Sequence, residues 1–106
     1  MTTAITDRDR EICKENGWGV YEEYHWFEIG IHSPLGEHFV ASMRTDCGFK
    51  TLGDMVTDYA ERFDAQEHAA MWHENDDRTS LNELLADAEK IQEWLLDLAK
   101  ALKEED

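Results

Sequence analysis

The stretch SLNELLADAEKIQEWLLDLAKALK, residues 80–103, decides how the rest of the chain must fold. Leu81, Leu84, Ala88, Ile91, Leu95, Leu98 and Leu102 recur there at intervals of three and four, the period of one face of an α-helix. Ser80 and Glu83 stand at the spacing of a capping box, in which each side chain satisfies an N–H that the helix start leaves orphaned. Neither Gly nor Pro interrupts the run. At 1.5 Å per residue such a helix is roughly 35 Å long, about the diameter of a small domain, and the remaining elements are expected to pack along it.

Upstream the pattern changes in turn. Residues 6–16 read as a short helix, capped by Thr6 and Asp9 and ended by Asn16-Gly17, with the thin apolar face Ile5, Ile12 and Cys13. It is expected over the edge of the domain. Alternation then replaces the helical period. Phe27, Ile29 and Ile31 share one face of a strand, with Glu28, Gly30 and His32 on the other. Phe39, Ala41 and Met43 alternate in the same way, after the turn residues Ser33-Pro34-Leu35-Gly36. Trp18 to Glu22 reads as a preceding strand, with Glu23-Tyr24-His25 as its connection. The three form an antiparallel meander with one buried face, which needs helices to cover it.

After a loop at 45–50, Leu52, Met55, Val56, Tyr59, Ala60 and Phe63 restore helical spacing. Asp64 and Glu67 repeat the capping spacing ahead of a helix over 65–74 that carries Ala69, Met71 and Trp72. Residues 75–79 are a polar linker. The expected architecture is a single α+β domain over residues 1–106 with element order α-β-β-β-α-α-α. Its core is expected to hold Phe27, Ile29, Ile31, Phe39, Met55, Val56, Tyr59, Leu84, Ala88, Ile91, Leu95 and Leu98.

Length and composition bound the function. A chain of 106 residues buries a core without disulfides or metal. Its 42% apolar residues set it apart from a disordered tail. No apolar run approaches the ~18 residues of a membrane span. Residues 1–4 lack the blocks of a signal peptide, so a cytoplasmic protein is expected, with Cys13 and Cys47 as free thiols. The charge is the informative quantity: 25 Asp and Glu face 10 Lys and Arg, a net −15. Solubility alone asks for a magnitude of only about 2–8. Such acidity argues against direct DNA or RNA binding, which needs a basic face.

Candidates for chemistry are thin. His68 and His73 are five apart and diverge on a helix, unlike the i, i+4 pair of a zinc helix. His25, His32 and His38 have no Cys or carboxylate at ligand spacing, so neither metal nor cofactor is expected. No serine sits in a Gly-x-Ser-x-Gly elbow and no glycine-rich phosphate loop occurs. Trp26, Trp72 and Trp94 are expected as core anchors.

Acid placement says more. Residues 51–106 carry −11 of the −15. Glu83 and Asp87, Glu89 and Glu93, and Glu93 and Asp97 are pairs four apart, a spacing at which like charges cost a helix roughly 0.2–0.5 kcal/mol each. Two explanations compete: a solvated face that prevents aggregation, and a stripe that imitates the phosphates of a duplex. On the second, Glu83, Asp87, Glu89, Glu93 and Asp97, with Asp76 and Asp77 in the linker, are the candidate partner-binding residues. They are expected on the polar side of the helix, tolerant of substitution.

Three segments also resemble a known group. Phe27-Glu28-Ile29 followed by residues 33–39, the run FDAQEHAAMW at 63–72, and residues 84–88 leading to 98–102 resemble a family of small acidic proteins. Its members are carried by phages and mobile elements of gut bacteria. The resemblance covers nearly everything after residue 17, and the Phe-Asp-x-x-Glu-His-x-x-Met-Trp segment is its most specific part. The linker departs from it: relatives often carry Gly and Pro where this chain has Asn75-Asp76-Asp77-Arg78. Some such proteins are anti-CRISPR inhibitors of type II RNA-guided nucleases, and no catalytic residues belong to the pattern. The resemblance therefore implies a non-enzymatic inhibitor whose partner is a bacterial RNA-guided nuclease or another basic nucleic-acid-binding protein. The competing reading is an interaction or accessory module of the same mobile element without DNA mimicry, and a hydrolase is the third class.

Overall fold

The computed structural model describes residues 2–75 and 78–104. Its elements run α1 (Asp7–Glu15), β1 (Gly19–Glu23), β2 (Trp26–His32), β3 (His38–Arg44), α2 (Leu52–Arg62), α3 (Ala65–Asn75) and α4 (Leu81–Glu104). This is the α+β order expected from the sequence, with strand boundaries displaced by a single residue in β1. Asp76 and Asp77, two of the candidate binding residues, lie outside the described residues.

Local chemistry explains the boundaries. The Thr6 hydroxyl accepts the Asp9 N–H and the Asp9 carboxylate accepts the Thr6 N–H, each at 3.0 Å, closing the box that starts α1. At its other end the Trp18 N–H reaches the Cys13 carbonyl at 2.9 Å and the Gly17 N–H reaches Lys14 at 3.0 Å. That Schellman arrangement needs a left-handed residue, and Gly17 supplies it with φ 88°. The Thr51 and Ser80 hydroxyls accept the Asp54 and Glu83 N–H groups at the starts of α2 and α4.

β1, β2 and β3 form an antiparallel meander in that spatial order. Phe27, Ile29, Phe39, Ala41 and Met43 point to one face and pack on Leu52, Met55, Val56 and Ala60 of α2 and on Ile91, Leu95, Leu98, Ala99 and Leu102 of α4. α1 adds Ile12 and Cys13 to the same core, and Trp18 is buried beside them. Burying a leucine- or isoleucine-sized side chain contributes about 1.5–3 kcal/mol, so the fully enclosed Ile91, Leu95, Leu98 and Leu102 make α4 the main anchor. Of the expected core, Ile31, Tyr59 and Leu84 are only half-buried. Ala88 is buried in a separate small cluster with Ala65 and Ala69, where α3 lies against α4.

Two expectations are corrected. Trp26 and Trp72 are not core anchors: they are 39% and 42% exposed, and Trp94 is half-buried at the core's margin. Trp18, 2% exposed, is the buried indole. Trp26 precedes the inward Phe27, so strand alternation turns it outward. α3 meets α4 through Ala65 and Ala69, and Met71 and Trp72 stay outside that contact, exposed on the far part of the helix.

The second correction is Asp87, which leaves the exposed stripe. It is 5% exposed, and its carboxylate accepts the Leu35 N–H at 2.9 Å. The hairpin turn explains this contact. Gly36 N–H bonds Ser33 C=O and Ser33 N–H bonds Glu37 C=O, each at 2.9 Å, and Gly36 takes φ 91°. That is a three-residue loop with a left-handed exit, and it leaves the Leu35 N–H to find another acceptor. Asp87 supplies one from α4.

Candidate functional site

α4 carries the candidate acids in two environments. Glu83, Glu89, Glu93 and Asp97 are exposed; Glu89, Glu93 and Asp97 lie opposite the buried Ile91, Leu95 and Leu98, and Glu83 lies at the flank of that buried face. Asp87 ties the hairpin to the helix instead. Within the ribbon Lys90 pairs with Glu93 at 3.2 Å, and beyond it Lys103 reaches Asp54 of α2 at 3.6 Å. Glu89 lines a shallow hollow of about 450 Å³ beside residues 61–66, where the Gln92 side-chain amide donates to the Phe63 carbonyl at 3.1 Å.

A larger concavity, about 900 Å³, lies elsewhere and no α4 residue lines it. Its first wall is β3, the last strand of the sheet. Residues of both alternation phases line it, Phe39 and Met43 as well as His38, Val40 and Ser42, so it runs along the strand's edge. α2 brings Asp58, Tyr59 and Arg62, and α3 brings Glu67, His68, Met71 and Trp72. Met71 is 57% exposed on this rim.

The floor is aromatic. Phe39 meets Phe63 edge-on at 5.6 Å, and the His68 ring lies 5.7 Å from Phe39 and 5.3 Å from Phe63. His68 Nε2 contacts both Glu37 oxygens, at 2.8 and 3.1 Å, which clamps α3 to the start of β3. Burial holds the Tyr59 hydroxyl above its ordinary pKa, so it stays a neutral phenol. At the far end Arg44 stacks 5.6 Å from the Trp26 ring and forms a fork with Asp46 at 2.8 and 2.9 Å. That hydrogen-bonded guanidinium lowers the Asp46 pKa. Cys47, an exposed thiol, also lines this end.

Among the described residues no group of three or more His, Cys, Asp and Glu is placed to hold a metal ion. His32 and His38 stack on each other at 4.9 Å across the outer sheet face, and His25 lies 3.9 Å from Asp46. Burial pushes the Cys13 thiol up to about 12, so it is a core side chain and not a nucleophile. The concavity has instead the composition of a binding groove: exposed Trp and Met, a strand edge, and carboxylates at the rim.

Sequence reasoning missed this groove. Its one sequence-visible sign was the run Met71-Trp72 on a helix whose inward positions are alanines. No helix among the described residues is long and apolar enough to cross a membrane. No family model matches the chain, and searches of curated proteins and of solved structures find no match either.

Proposed function

We propose that the chain is a non-enzymatic binding protein that occupies a basic surface of its partner, as an inhibitor of a bacterial nucleic-acid-targeting nuclease would. The observation that supports this most is the placement of Glu83, Glu89, Glu93 and Asp97 on solvent, along a helix fixed to the core by four fully buried side chains. A chain of net charge −15 is steered toward basic channels, and a rigid acidic surface excludes DNA from them. The test is a pull-down from bacterial lysate followed by a nuclease inhibition assay. Inhibition is expected to be stoichiometric, insensitive to chelation of this protein, weaker at high salt and competitive with DNA. Undiminished binding by a folded variant with Glu83, Glu93 and Asp97 all changed to Lys would remove phosphate mimicry from the proposal.

A second reading is an interaction module of a mobile element without mimicry. The exposed Trp26, Met71 and Trp72 around the groove favour it, because aromatic and Met side chains dominate the energetics of protein interfaces. It predicts binding that DNA does not compete and that survives charge reversal of the exposed α4 acids.

A further inference from the structure

We propose that the groove along β3 receives an extended, net-basic segment of a partner protein, which adds to the sheet as a fourth strand. The site is separate from the exposed face of α4, and the proposal holds or fails independently of phosphate mimicry.

The backbone phase carries the argument. In an antiparallel pair, residues alternate between those that exchange hydrogen bonds with the neighbour and those whose N–H and C=O point away. Ser33 N–H to Glu37 C=O at one end and Thr45 N–H to His25 C=O at the other, both 2.9 Å, set that phase. The bonded pairs between them are Ile31 with Phe39, Ile29 with Ala41 and Phe27 with Met43. His38, Val40, Ser42 and Arg44 therefore turn their N–H and C=O groups outward, into the groove. Among the described residues no strand pairs with that edge.

An open edge is a template for another strand unless something blunts it. The other edge of this sheet is blunted. β1 is five residues long, and α1 lies beside it with Arg10 forked onto Glu22 at 2.8 and 3.0 Å. β3 is seven residues long, continuous in register and free of Pro and bulges. At 3.3 Å per residue it offers an edge of about 23 Å. Side chains on one face of an added strand would lie against Tyr59, Phe63, Met71 and Trp72, which supplies alternate-side-chain specificity.

Charge selects the occupant. Asp64 and Glu67 stand on the α3 wall and make no ion pair among the described residues, while Arg44 and Arg62 are already engaged by Asp46 and Asp58. The whole chain carries −15, which disfavours an acidic segment and a second copy alike. The segment that fits alternates apolar side chains with Lys or Arg.

The probe is a blocked heptapeptide alternating Lys and Val, added to isotope-labelled full-length protein while amide hydrogen exchange is followed. At a peptide concentration about ten times Kd, exchange at Val40, Ser42 and Arg44 is expected to slow about tenfold. The amides of Phe39, Ala41 and Met43, already bonded to β2, are expected to change little. The same peptide N-methylated on the edge-facing residues, and its Glu-Val counterpart, are expected to bind at least tenfold more weakly. Ser42→Pro removes one outward N–H without touching the β2 ladder and is expected to weaken binding about tenfold. Trp72→Ala, at an exposed position, tests the wall if the proline variant does not fold. Equal binding of the N-methylated or acidic peptide would overturn the proposal. So would perturbation confined to Glu83, Glu93 and Asp97, the absence of binding at about 1 mM peptide, or edge protection that appears on self-association without peptide.

Discussion

The outer face of α4 and the groove beside β3 are both exposed, yet they are built on opposite principles. The α4 face has charge and little relief: exposed carboxylates along one helix, of which Glu93 is paired with Lys90 one turn away. The β3 groove has relief and directional backbone groups, with its charged side chains set among aromatic and Met side chains. Charge alone attracts many partners and orients few, whereas a strand edge flanked by aromatic side chains fixes register. On the two proposals taken together, the labour is divided: α4 would govern encounter rate and the groove residence.

That comparison breaks most easily at the core both surfaces share. Ile91→Ala removes a fully buried side chain beneath the α4 face and is expected to cost about 2–5 kcal/mol of stability in chemical denaturation. A loss within error would mean that the two surfaces are not supported by one core. Next comes Asp87, which tests whether the acids of α4 are one group. Asp87→Ala leaves the Leu35 N–H without its acceptor and is expected to cost about 1.5–3 kcal/mol. The same change at Glu93, on the exposed side, is expected to stay within about 0.5 kcal/mol.

The cysteines sharpen the contrast between core and groove. Cys47 at the groove is expected to react with a thiol reagent at once, and buried Cys13 only at the rate of opening. Because the folded Cys13 pKa of about 12 lies above its ordinary 9.0, its contribution is complete below pH 9. It is then lost as pH rises through that interval, since the unfolded chain ionises first. The slope is about 1.4 kcal/mol per pH unit, and Cys13→Ala is expected to remove it. The smallest stability effects distinguish the surfaces themselves. Trp72→Ala and the triple change of Glu83, Glu93 and Asp97 to Lys, which moves the net charge from −15 to about −9, are each expected to leave folding nearly unchanged. Loss of salt-dependent association only in the triple variant, and of peptide binding only in Trp72→Ala, would establish the division. The reverse pattern would dissolve it.

Much of the fold was legible because its signals are local. The Thr6 and Asp9 capping box, the Gly17 exit and the three-four period of α4 all concern residues within a few positions of one another. Asp87 was legible too, on a closer count. It stands three residues after Leu84 and four before Ile91, so it shares their side of the helix, about 40° from Ile91. Its polar character argued for solvent, and its position argued for the core. The outward Trp26 follows in the same way from the inward Phe27.

What the amino-acid order settled by itself was the kind and succession of the elements, since helix and strand periods and their caps are properties of neighbouring residues. What only the tertiary structure decided was which polar and aromatic side chains find cover. Asp87 is buried because a turn 52 residues earlier in the chain offers it an N–H. β3 keeps an open edge because no described strand pairs with it, and α2 and α3 wall a groove along it instead. Such outcomes depend on distances between segments remote in sequence, and no local period encodes them.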